Sequence, residues 1–218
     1  MKKNCLILVF LLLLSVCIPV TDGYAQNDTK DSSESTTKPA IFSGGAIDSH
    51  GKFSLTAEQF MDELIGLMNS ETVLKTMEKY SYPMESQYSY EYQDERFIIL
   101  FYKGLDLGAV SFLKDGKPVS GDSNFDAVGI QLPLYNEYYM ETLINAGSSA
   151  IFLTAPACIY QDAVTIFAAL SAKCNEVNDN GHSSYSIDTD LFTYSVDRYQ
   201  IDEEENIWQY LFTIWEIK

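Results

Sequence analysis

The sequence predicts an α+β fold: one antiparallel sheet of about five to six strands with helices packed on one face. Three observations predict it. Residues 191–217 read as a β-hairpin whose second arm, from Ile207 to Ile217, is rich in aromatic and β-branched side chains. Residues 88–132 alternate with a period of two. Two helical stripes, separated by Pro156, lie between these strand regions.

The chain has 218 residues, and the first 25 are expected to be an export signal. Lys2 and Lys3 precede an uncharged Leu-rich run, and Gly23 and Ala25 put small residues before a cut. That run is shorter than the ~20 residues a membrane span needs. Cys17, reached through Leu14, Ser15 and Val16, is a second option, a lipoprotein cysteine, although Val16 is bulkier than the small residue that normally precedes one. Residues 26–46 are dense in Ser, Thr, Asp and Asn and read as a tether, leaving residues 47–218 as a single domain.

The first helix is announced by Thr56 and Gln59, spaced as a capping box, with Phe60, Met61, Leu64, Ile65 and Met68 forming its apolar stripe. A short second turn follows from Glu71, and Pro83 ends it. The meander comes next. Tyr88, Tyr90 and Tyr92 alternate with Ser89 and Glu91, residues 97–102 form an apolar run, and Asp115-Gly116 marks a tight turn. Asn136 can cap a helix running to Thr154, in which the small residues 146–150 admit a close neighbour. A second helix runs from Ile159 to Lys173, residues 178–181 form a loop, and a final hairpin pairs residues 192–196 with residues 207–217. In that last arm Trp208, Tyr210, Phe212 and Ile214 share one face and Ile207, Leu211, Trp215 and Ile217 the other, and both faces are apolar, as suits an inner strand covered above and below. The predicted order is helix, β-meander, helical hairpin, β-hairpin.

This order, the signal and Ser/Thr tether, the run Ser54-Leu55-Thr56-Ala57-Glu58-Gln59-Phe60 and the Pro156 hairpin before a final strand pair resemble uncharacterised secreted or lipoprotein domains of Gram-positive bacteria. The similarity spans about residues 50 to 217. It implies an extracellular or cell-surface location and this architecture, and it assigns no catalytic residue.

Charge and composition limit the function. With 14 Lys+Arg against 31 Asp+Glu and a net charge of −17, the surface repels nucleic-acid backbones. Nucleic acid is excluded as a partner, membrane contact is expected only through a lipid on Cys17, and a monomer is expected. Cys158 and Cys174 are expected to be free, buried thiols, because a helix of sixteen residues would separate them by about 24 Å, far beyond the ~7 Å limit for bridging.

No catalytic set is evident. His50 and His182 have no companion at zinc spacing, and no nucleophile elbow or phosphate loop occurs. Residues 176–181 imitate part of a calcium loop but lack Asp at its first position and Glu at its twelfth, where Ile187 stands. No metal site, cofactor or catalytic residue is therefore assigned. Tyrosine is the residue with functional promise, since it offers a stiff apolar body with a polar tip. It crowds at Tyr80, Tyr82, Tyr88, Tyr90 and Tyr92 and again at Tyr135, Tyr138 and Tyr139. Tyr88, Tyr90 and Tyr92 are the candidate binding residues, provided they lie on an open sheet face. The expected function is a secreted, non-enzymatic module binding a protein or glycan. Its rivals are a secreted hydrolase using dispersed carboxylates and an inhibitor or immunity-type protein.

Overall fold

The strand Ile207–Glu216 sits inside the sheet because both of its edges find long partners: eight residues of Ala127–Leu134 on one side and Phe192–Asp202 on the other. The computed structural model describes residues 43–78, 88–101, 104–135, 137–176 and 181–217. The expected signal, the tether up to residue 42, Tyr80, Tyr82, Asn136 and residues 177–180 of the calcium-like loop lie outside them.

Among the described residues the fold is α+β, with four helices and one antiparallel sheet of eight strands. The helices are α1 (Ala57–Met68), α2 (Glu71–Glu78), α3 (Glu137–Thr154) and α4 (Tyr160–Glu176). The strands are β1 (Tyr88–Gln93), β2 (Arg96–Phe101), β3 (Leu105–Lys114), β4 (Lys117–Pro118), β5 (Ala127–Leu134), β6 (His182–Asp188), β7 (Phe192–Asp202) and β8 (Ile207–Glu216). They pair in the order β1-β2-β3-β5-β8-β7-β6, and the two-residue β4 pairs with β3.

The count exceeds the expected five to six strands, and the C-terminal unit is a three-stranded meander, not a hairpin. The added strand is β6. Its buried position at Ser183 is filled by a hydroxyl against the thiol of Cys174, so period-two hydrophobicity does not announce it. β7 also runs on to Asp202, six residues past Val196, because Arg198 and Tyr199 keep pairing with Tyr210 and Gln209.

The helices lie on one face. Tyr194 reaches Thr154 of α3, Phe212 packs edge-on against Phe167 of α4, and Tyr210 donates to Asn175 of α4. Below them, Phe60, Phe97, Phe112 and Phe125 form a chain of ring contacts 4.7–5.6 Å apart. That is the core, and edge-to-face rings add to its apolar burial.

Local signals act as expected in several places. The Thr56 hydroxyl accepts from the Gln59 N–H, and the Gln59 side chain accepts from the Thr56 N–H, completing the capping box of α1. Asp115 and Gly116 both have positive φ, the backbone a tight two-residue hairpin turn needs. Cys158 and Cys174 are free thiols at the two ends of α4. Cys174 is buried, whereas Cys158 is half-buried.

Candidate functional site

The sheet's second face has no helix on it among the described residues. Ile98, Ala109, Gln131, Leu211 and Ser195 point that way, opposite in parity to the side chains that touch α1, α3 and α4. At its centre the Ser195 and Thr213 hydroxyls bond each other across β7 and β8, an arrangement suited to a half-wet surface.

A cavity of about 290 Å³ opens on this face, lined by Gln93, Asp94 and Arg96 on one side and by Gln131, Pro133 and Gln209 on the other, with Asp106 at its end. Its floor follows one register row, Ile98 against Ala109 and Ala109 against Gln131. Gly108 permits this close approach of β3 and β5, because a Cβ there would lie 2.3 Å from the Gln131 carbonyl oxygen. The sequence places Arg96 just after Asp94 and Glu95, which both adopt positive φ to turn β1 into β2. Among the described residues the Arg96 guanidinium has no hydrogen-bond or ion-pair partner. In so acidic a chain, that leaves a five-donor fork pointed at solvent beside three side-chain amides.

The candidate tyrosines lie elsewhere. Tyr88, Tyr90 and Tyr92 occupy the helix-covered face. Tyr88 is 4% exposed and belongs to the core. Its N–H donates to the Asn69 Oδ1 and its carbonyl accepts from Asn69 Nδ2, both at 2.8 Å, so the end of α1 imitates a neighbouring strand. The Tyr90 hydroxyl donates to Asp62 of α1 at 2.8 Å, and burial together with that carboxylate pushes its phenol pKa up. Tyr92 is 47% exposed and rests on Phe97 with ring centroids 4.9 Å apart. The reason is parity: Tyr90 pairs with Ile99 and Tyr92 with Phe97, both core residues, which puts all three on the inner face.

From the second tyrosine group, Tyr135 is 55% exposed and packs edge-on against Tyr139. The Tyr139 hydroxyl donates to the carbonyl of Asp106, at the cavity's end. Burial raises the Tyr139 phenol pKa, with Tyr135 and Asp106 adding to the shift.

No family model, curated protein or solved structure matches this chain. Its chemistry therefore rests on its own geometry. Among the described residues, no group of three His, Cys, Asp or Glu side chains is placed to hold a metal ion, and no helix is long and apolar enough to cross a membrane. His50 sits in a loop, its N–H bonded to Asp48, and His182 stacks on Tyr199 with its Nε2 3.6 Å from Asp197.

Sequence reasoning missed Arg96, Asp106 and Gln131. They are separated along the chain and share a cavity only through the β2-β3-β5 register. The one available signal is a charged or amide residue at an outward position of a predicted strand.

Proposed function

We propose that the protein is an exported, non-enzymatic binding module that takes a polar extracellular partner, protein or glycan, on the helix-free sheet face. The observation that carries this reading is the unpaired Arg96 guanidinium beside Gln93, Gln131 and Gln209 in one cavity. A guanidinium and primary amides suit carboxylates, backbone carbonyls or sugar hydroxyls, and rigid strands hold them in place at little entropic cost. The N-terminal run that reads as an export signal supports the location.

The test is retention on a glycan panel and on immobilised extracellular proteins, with Arg96→Glu and Gln131→Ala alongside the unchanged protein. Retention by the unchanged protein, weakened at least tenfold in Arg96→Glu with the same circular dichroism, is expected. Equal retention by Arg96→Glu, or none by the unchanged protein, would sink the reading.

A secreted hydrolase is the second reading, favoured by Asp94 and Asp106 lining the same cavity. Turnover of a retained glycan that Asp94→Asn and Asp106→Asn each abolish would select it.

A further inference from the structure

β6 closes one side of the sheet, and Asp188 is the one acidic side chain on that edge among the described residues. Its seven residues pair with β7 without a bulge and contain neither proline nor lysine. The ladder's phase is set by two bonds, from the Gln200 N–H to the Gly181 carbonyl and from the Thr189 N–H to the Phe192 carbonyl. Both pairs fall on the β6–β7 register, so odd-numbered residues of β6 bond to β7. The N–H and C=O groups of His182, Ser184, Ser186 and Asp188 therefore point outward. None has a backbone partner among the described residues, and all four side chains are exposed.

We propose that the protein forms a homodimer in which β6 pairs antiparallel with β6 of a second copy, about a twofold axis through Tyr185. This centre pairs all seven residues with faces matched. Ser184 lies opposite Ser186 of the other copy, joined through the outward groups, and His182 lies opposite Asp188. The imidazole meets a carboxylate whose Oδ1 already accepts from Thr193, leaving Oδ2 for the new bond. The twofold brings two such His–Asp pairs together and closes the assembly at two chains. β1, at the opposite edge, is already partnered in part: the Tyr88 N–H and C=O are held by the Asn69 side chain, so a second β1 could not use them. Against association stands the charge of −17 on each chain. Screening relieves that repulsion, so the dimer strengthens as salt rises from about 10 to about 150 mM and the screening length falls from about 30 to about 8 Å.

Sedimentation equilibrium of the purified protein across that salt range should give a mass rising toward two chains. Ser184→Pro removes an outward N–H and no bond to β7, and should return the mass to one chain with unchanged circular dichroism. Tyr185→Cys, made with Cys158→Ser, tests the same axis without proline. A non-hydrogen-bonded pair sets its Cα atoms ~4.5 Å apart, close enough to oxidise to a disulfide-linked dimer, whereas Ser89→Cys in β1 should not link. A one-chain mass at every salt, a folded Ser184→Pro variant that still dimerises, or a Tyr185→Cys variant that does not cross-link would overturn the proposal. Binding of a different chain at β6 in place of a second copy would overturn it as well.

Discussion

The ring of Phe167 on α4 lies so close to Gly147 on α3 that a Cβ at residue 147 would stand 2.2 Å from its Cε2. Gly147→Ala gains about 1 kcal/mol of helix propensity, but overpacking a rigid ring costs about 1–3 kcal/mol. The net effect should be destabilising, by up to roughly 2 kcal/mol, seen by calorimetry as a melting temperature lower by a few degrees. Adding Phe167→Leu should recover part of the loss. Simple additivity of the two changes would contradict the contact.

Tyr88 and Tyr92 should respond very differently to truncation. Tyr88→Ala removes a core ring and should cost about 3–5 kcal/mol, enough to unfold a marginal domain. Tyr92→Ala trims a half-exposed ring and should cost about 1 kcal/mol or less. Chemical denaturation of both variants checks the pair, and similar losses would place Tyr88 wrongly.

Glu216 ties residues 52 and 53 to the last strand. Its Oε1 accepts from the Phe53 N–H at 2.7 Å, and its Oε2 lies 3.3 Å from Lys52 Nζ. Glu216→Gln retains an acceptor and should lose about 1 kcal/mol or less, whereas Glu216→Ala leaves a part-buried N–H unpaired and should lose about 1–3 kcal/mol. Urea unfolding separates the two. Equal losses would show that the ion pair, not the hydrogen bond, matters.

Tyr194 sets an alkaline limit. Burial pushes its phenol pKa up to about 12, although the hydroxyl also bonds Thr154. The folded chain thus holds a proton that the unfolded chain releases near pH 10, so this contribution is complete below pH ~10 and declines as pH climbs toward 12. Unfolding free energies measured from pH 9 to 12 should fall with pH. Tyr194→Phe should flatten that slope by about one proton's worth, and an unaltered slope would refute the assignment.

Much of the fold is legible in the sequence where local chemistry acts alone. Thr56 and Gln59 announce the start of α1, Pro156 parts α3 from α4, and Trp208, Tyr210, Phe212 and Ile214 do share a face. The inner position of β8 is legible too, yet only one of its faces is covered, because Leu211 and Trp215 look onto the open side. Two features resist reading. β6 hides because a serine fills its buried site, and the tyrosine stripe's direction depends on pairing with Ile99 and Phe97, which alternation within β1 cannot disclose. The cavity around Arg96 is a product of the β2-β3-β5 register, with Gln209 added from β8, and only tertiary structure reveals it.

The central ladder joins β5 to β8 across some eighty intervening positions, Ile130 meeting Phe212. A nascent chain leaving the ribosome therefore cannot complete this sheet until residues near 212 have been made, and closing so long a loop is slow. Until then β5 has β3 on one side but lacks β8 on the other. A chain arrested before β8 should be recognised by chaperones and proteases.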